Sequence, residues 1–204
     1  MPGFVYIVDD DASFRNAMER RLKHAGYEVA TYVSPEHLLD PLPSDSVLGC
    51  ILLDVHIPGM NGPELQGRLS ELGSTMPIIF LTGYPDIPIT VQAIKAGAED
   101  VLTKPVTSAV LLAAIERAIA RHEISRKLLS ELDFLRGRVA ALTPRERQVF
   151  DLVVRGKINK QIAFELGSTP RTIKKHRQRV MEKMGVGSLA ELVLIAARLD
   201  HSAG

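Results

Sequence analysis

Phe4-Val5-Tyr6-Ile7-Val8-Asp9-Asp10-Asp11 is a continuous apolar run that ends in three consecutive carboxylates. Apolar residues without alternation suit a strand covered on both faces, as in a parallel sheet, rather than a half-solvated antiparallel one. The pattern recurs along the chain: residues 51 to 53 lead into Asp54, residues 78 to 81 into Thr82, and residues 101 and 102 into Thr103-Lys104. In a parallel sheet the C-terminal strand ends border one crevice, so these polar residues are expected to converge although they are distant in sequence. Strand-like runs at 4 to 8, 29 to 33, 50 to 53, 78 to 82 and 101 to 103 alternate with stretches of helical spacing, such as Phe14, Met18, Leu22 and Ala25. The expected fold is an α/β doubly wound domain around a five-stranded parallel sheet.

The length, 204 residues, suits one large or two modest domains. No apolar run is long enough to span a membrane, and no basic segment precedes the first strand, so a cytoplasmic protein is expected. Cys50 has no partner for a disulfide and reads as a core thiol, and the six histidines show no zinc-ligand spacing. The net charge of +1 hides an asymmetry. Residues 1 to 120 carry 8 Lys+Arg against 15 Asp+Glu, and residues 143 to 204 carry 12 against 6. An acidic first part and a basic last part predict two domains with different partners, the basic one suited to nucleic acid.

Three acids, a hydroxyl and a lysine at strand ends make a place for a divalent metal and a phosphoryl group. Mg²⁺ favours hard oxygen ligands and keeps several waters, so Asp10 and Asp54 can ligate it directly and Asp9 through water. Each of these residues alone is more often a helix cap or a solvated charge. Their placement at the ends of four strands favours the joint site, with Asp54 as the nucleophile, Lys104 neutralising charge on the phosphoryl oxygens and Thr82 donating a hydrogen bond to one of them.

Beyond residue 107 the helical spacing continues, and Leu128, Leu132, Leu135, Val139 and Leu142 recur at alternating steps of four and three. That is either a coiled-coil-like seam between domains or a helix packing on its own domain. Thr143-Pro144-Arg145-Glu146 combines a capping hydroxyl, a proline at the first helical position and a reciprocal glutamate, a helix start. Residues 159 to 166 form a second short helix closed by Gly167, Thr169-Pro170 opens a third through Met184, and Ser188 and Glu191 open a fourth. On the third helix Ile173, Val180 and Met184 share one side, while Arg171, Lys174, Lys175 and Gln178 face the other. A basic, amide-bearing helix after a tight turn predicts a helix-turn-helix. Lys174, Lys175 and Gln178 suit base edges, and Thr169, Thr172, His176 and Arg179 suit phosphates.

The stretches Val8-Asp9-Asp10-Asp11, Asp54-Val55-His56-Ile57-Pro58-Gly59-Met60-Asn61-Gly62, Leu81-Thr82-Gly83 and Lys104-Pro105 resemble the receiver domain of two-component response regulators, over roughly residues 3 to 122. The resemblance implies a flavodoxin-like sheet in the order 2-1-3-4-5, Asp54 phosphorylated by a sensor histidine kinase, the backbone carbonyl of His56 as a further Mg²⁺ ligand, and a cis Lys104-Pro105 bond. It also implies dimerisation through residues 86 to 96, 101 to 103 and 107 to 122. The family's switch aromatic, three positions before the lysine, is replaced by Val101, whose short side chain cannot sweep the same volume; Tyr84 lies nearby. Residues 142 to 199 resemble the LuxR-type helix-turn-helix domain of the NarL/FixJ branch, on Leu142-Thr143-Pro144-Arg145-Glu146-Arg147, Asn159-Lys160-Gln161-Ile162-Ala163 and Thr172-Ile173-Lys174-Lys175-His176. Lys175 stands where that family commonly has valine, and the last helix is implied to contribute to a dimer on DNA.

The expected organisation is a receiver at 1–122, a helical linker at 123–141 and a helix-turn-helix domain at 142–204. The expected function is a transcription factor that binds promoter DNA as a homodimer when Asp54 is phosphorylated, with RNA polymerase as a further partner. Two rivals are a phosphohydrolase, which would want an aspartate at the place of His56, and a phosphorylation-independent factor whose receiver is a constitutive dimerisation module.

Overall fold

A computed structural model of the protein describes residues 3–83 and 87–201. The backbone contacts divide the chain into two units, Met1–Lys127 and Leu128–Gly204. In the first, strands β1 (Phe4–Val8), β2 (Glu28–Tyr32), β3 (Gly49–Asp54), β4 (Ile78–Thr82) and β5 (Asp100–Thr103) form one parallel sheet in the order β2-β1-β3-β4-β5. Helices α1 (Ala12–His24), α2 (Pro35–Leu39), α3 (Gly62–Glu71), α4 (Ile87–Lys95) and the first part of α5 (Ser108–Ala140) complete the doubly wound domain.

The continuous apolar strands are explained by two cores. Tyr6, Val8, Ile51, Leu53 and Phe80 point to one face, against Leu65 and Leu69 of α3. Val5, Ile7, Leu52, Ile79 and Leu81 point to the other, against Met18 and Leu22 of α1 and Leu111 and Ile115 of α5. Each such side chain contributes about 1.5–3 kcal/mol when fully buried, so neither face tolerates polar alternation. Cys50 is buried in the second core, and burial pushes its thiol pKa up, in keeping with an inert core residue. The short α2 was not marked by any periodicity in the sequence, because five residues give too few turns to show one.

The second unit is all helical, with α6 (Pro144–Val154), α7 (Asn159–Glu165), α8 (Pro170–Met184) and α9 (Leu189–His201). Val149, Phe150, Ile162, Ile173, Val180, Met184 and Leu192 make its core. The seam of the long helix is divided. Val139 and Leu142 belong to this core, whereas Leu128 is exposed and lines, with Leu132 and Leu135 of α5 and Leu194 of α9, an apolar groove of about 480 Å³. No helix among the described residues is long and apolar enough to cross a membrane.

The start of α6 is fixed by its capping box: the Thr143 side chain accepts from Glu146 N–H, and a Glu146 carboxylate oxygen accepts from Thr143 N–H at 2.9 Å. Lys183 of α8 adds a 2.7 Å ion pair to the same buried carboxylate. Lys183 and the Thr143 backbone hold the Glu146 pKa down, from 4.5 to about 2. A depressed carboxylate stabilises the fold above its ordinary pKa and loses that contribution as the pH falls through the folded value. The difference in thermal midpoint between wild type and Glu146→Gln should therefore be full above pH 4.5 and close as the pH approaches 2, read by circular dichroism across that range.

Candidate functional site

The register brings the predicted polar residues to one sheet edge. Val8 pairs with Leu53, Asp54 with Leu81 and Thr82 with Thr103, so β1, β3, β4 and β5 end at nearly the same level. The edge is sealed by Val55 N–H donating to Leu81 C=O at 3.0 Å and Lys104 N–H to Thr82 C=O at 2.7 Å. The Lys104-Pro105 bond is cis, as the motif implies.

At the centre, Lys104 Nζ donates to Asp9 Oδ2 and to Asp54 Oδ2, each at 2.6 Å. The free oxygens of the acids are also positioned: Asp9 Oδ1 accepts from Asp11 N–H at 2.9 Å and Asp54 Oδ1 from His56 N–H at 3.1 Å. Arg15 donates to the main-chain carbonyl of Asp9 at 2.6 Å, and the Lys104 ammonium lies 4.1 Å from the ring centroid of Phe14. Asp9, Asp54 and Thr82 are buried, and Asp10 is exposed at the rim. Burial raises the Asp9 pKa, against the pull of Lys104. Burial alone would lower the pKa of Lys104, but its bonds to Asp54 and Asp9 outweigh that and raise it, so the ammonium is held charged.

One carboxylate oxygen from each of Asp9, Asp10 and Asp54 falls within 4.8 Å of the others. Three carboxylates against one ammonium leave a formal surplus of two negative charges, which a divalent cation matches, and hard oxygen donors are the set that Mg²⁺ takes. The residues fit the ion. Tyr84 lies outside the described residues, and Val101 is half-buried against the core that also contacts Ile89 of α4.

In the second unit α7 and α8 flank a turn at Gly167, whose φ of 57° is left-handed. Thr169 caps α8 by accepting from Thr172 N–H at 3.2 Å, and Gly185 ends it in the left-handed region. Ile173, Val180 and Met184 are buried, while Thr169, Arg171, Thr172, Lys174, Lys175, Gln178 and Arg179 are exposed. His176 is only half-exposed, with Nδ1 buried, which leaves Nε2 as the ring nitrogen turned outward. Gln178 donates to Glu182 at 3.0 Å, so a base contact by its amide requires leaving that partner.

Three residues of these sites escape sequence reasoning. Phe14 has the spacing of a core residue, yet its ring also covers the lysine. Arg15 carries no motif. Arg177 reads as one more surface cation, but it donates to Asn159 at 2.8 Å and fixes α8 against α7. A basic residue on the inward flank of α8 was the available signal.

Comparison with known proteins assigns both domains to families. Residues 5–116 match the response regulator receiver domain, and residues 140–196 match the luxR family of bacterial regulatory proteins. The chain is 42% identical to the transcriptional regulatory protein FixJ of Bradyrhizobium diazoefficiens, over 96% of this chain and 95% of that protein. It is similar to the structure of the response regulator StyR, with TM-score 0.81 and 40% identity over 97% of this chain and all of that one. Full-length FixJ from B. japonicum gives TM-score 0.59 at 40% identity, over 98% of both chains.

This chain is a FixJ-like response regulator. Its receiver domain implies a histidine kinase partner, and its LuxR-type domain implies DNA binding. Receiver domains generally bind Mg²⁺ at an acidic pocket, which here is the Asp9, Asp10 and Asp54 cluster.

Removing the ammonium leaves the buried acids facing one another. Breaking a buried pair costs about 3–5 kcal/mol, and the partial exposure of Lys104 and Asp54 reduces that to about 1–3 kcal/mol. Lys104→Ala should lower the thermal midpoint in EDTA and regain part of the loss in millimolar Mg²⁺; equal losses in both media would contradict the charge balance.

Proposed function

We propose that this response regulator is a DNA-binding transcription factor controlled by phosphorylation of Asp54, with its receiver over residues 1–122, a helical linker at 123–141 and the DNA-binding domain at 142–204. The observation that carries the reading is the Lys104 ammonium held at 2.6 Å from both Asp54 and Asp9. A carboxylate oxygen of Asp54 attacks the phosphorus of a sensor kinase's phosphohistidine; the P–O bond forms as the P–N bond breaks and the imidazole leaves. Lys104 moves from the carboxylate to the equatorial oxygens of the arriving group, and the Thr82 hydroxyl donates to one of them. Asp9, Asp10, Asp54 and the backbone carbonyl of His56 would hold Mg²⁺, which when bound supplies positive charge beside the phosphoryl group. The chain accepts phosphate without turning over a substrate, because His56 is not the aspartate that a phosphohydrolase would place there as general acid.

Phosphorylation shifts the protein toward a homodimer, as differential affinity for two states requires. Exposed Ile87, Val91 and Ile94 on α4 and Val110 on α5 support a receiver dimer through the faces of α4, β5 and α5. Exposed Leu189, Val193 and Leu194 support a contribution from α9 on DNA. Lys174, Lys175 and Gln178 read base edges, Thr169, Arg171, Thr172, His176 and Arg179 hold phosphates, and the bound dimer acts on RNA polymerase in the cytoplasm. Val101 in place of an aromatic favours one second reading, a constitutive dimer that binds DNA whether or not it is phosphorylated.

Wild type incubated with radiolabelled acetyl phosphate and Mg²⁺ should take up label, and Asp54→Asn or added EDTA should abolish it. An unlabelled wild type defeats the acceptor reading, whereas equal promoter affinity of wild type and Asp54→Asn after phosphorylation favours the constitutive one. On DNA, Lys175→Ala should cost about 1–3 kcal/mol and relax preference at one base position, while Arg179→Ala should weaken all sequences alike and lower the salt slope by about one. Binding isotherms at several salt concentrations separate the two.

A further inference from the structure

We infer that Phe14 is a positioning residue for phosphoryl transfer, its ring face holding the Lys104 ammonium over the acceptor; this rests on the acceptor reading of Asp54. Among the described residues, the ammonium meets neighbours of two kinds. Two are carboxylates, and the third is the Phe14 ring, 4.1 Å from Nζ to centroid. An ammonium at that distance from an aromatic face is attracted by the negative side of the ring quadrupole, and the attraction grows as water is excluded. Water is largely excluded here, since the Lys104 side chain is 18% exposed.

The ring is itself fixed. Phe14 lies in the first turn of α1, where its N–H donates to the Asp11 cap at 3.2 Å, and it packs half-buried against the core that holds Leu81 and Leu111. Its orientation is therefore set by a helix cap and a core, independently of the charges in the crevice.

The two kinds of neighbour differ in what happens to them during transfer. When Asp54 attacks phosphorus, the oxygen that forms the new P–O bond ceases to be a free anion, and Lys104 must follow the charge onto the phosphoryl oxygens. The carboxylate contact to Asp54 is lost in that step. The ring contact depends on neither carboxylate and persists beside the bond to Asp9, so together they limit the excursion of a flexible four-carbon side chain. A leucine at this position fills similar apolar space and offers no π face.

The test uses the full-length chain, acetyl phosphate and Mg²⁺, with label uptake followed over time. Phe14→Leu should slow uptake about three- to tenfold, with the far-ultraviolet spectrum unchanged, and Phe14→Tyr, which keeps the ring, should return the rate to within about twofold of wild type. In a Lys104→Gln background, where there is no cation to hold, Phe14→Leu should change the rate by less than about twofold. An uptake by Phe14→Leu equal to wild type overturns the inference. So does a Phe14→Tyr chain as slow as Phe14→Leu, or the same fold-loss from Phe14→Leu with and without the lysine, since packing alone produces that pattern. Failure of wild type itself to take up label refutes the acceptor reading instead. Should Phe14→Leu unfold, Phe14→Met, which keeps volume and flexibility without a ring, carries the same comparison.

Discussion

A single ammonium group shared by two carboxylates organises the receiver. Asp9 and Asp54 come from neighbouring strands that the sheet forces together, and two buried anions at that separation repel one another strongly unless a cation lies between them. Lys104 supplies that cation from a third strand end. Because each bond is 2.6 Å, the lysine also fixes how β1, β3 and the segment after β5 meet, so the crevice is a consequence of charge balance as well as of strand register. The compensation is incomplete by design of the residue set: with Asp10 included the acids still outnumber the ammonium, and the remaining negative potential attracts a divalent ion.

The rest of the receiver serves to bring these groups to one level. Two cores of Ile, Leu, Val and Phe lock the strands in register from both faces, and a slip of one residue would turn Asp54 away from the crevice and bury it in a core. The caps act at the next scale. Asp11, by accepting from Ser13 and Phe14, starts α1 immediately beyond β1, which leaves Asp9 and Asp10 between a strand end and a helix start. Asn61 and Glu64 close a capping box at α3 and fix the loop that carries His56.

Most of this was legible in the sequence because it is local or periodic. The five strands announced themselves as unalternating apolar runs, and the acids, the threonine and the lysine stood at their ends. Thr143 with Glu146 and Thr169 with Pro170 marked the starts of α6 and α8, where the capping hydrogen bonds form. What escaped depends on non-local packing. The leucine seam looked uniform, yet Val139 near the end of α5 and Leu142 just beyond it turn into a helical core while Leu128 stays exposed, a distinction set by what each residue meets and not by its spacing. Phe14 and Arg177 had ordinary surroundings in sequence and acquired their roles only when a lysine and an asparagine from elsewhere were folded onto them.

The helices around the sheet are anchored unevenly. Among the helices around the sheet, α3 is anchored by Leu65 and Leu69 and α1 by Met18 and Leu22, whereas on α4 Ala93 is the buried residue and Ile87, Val91 and Ile94 face outward. An element held by so little apolar burial is the least costly to displace. It follows β4, whose last residue is Thr82, and Ile89 on its inner side contacts the same core as Val101 on β5. Thr82 thus ends the strand that precedes the weakly anchored α4. On β5, position 101 is a short branched valine, which packs with Ile89 of α4 on that core. The exposed isoleucines and valine thus form an apolar face on the helix that buries the least apolar surface of its own.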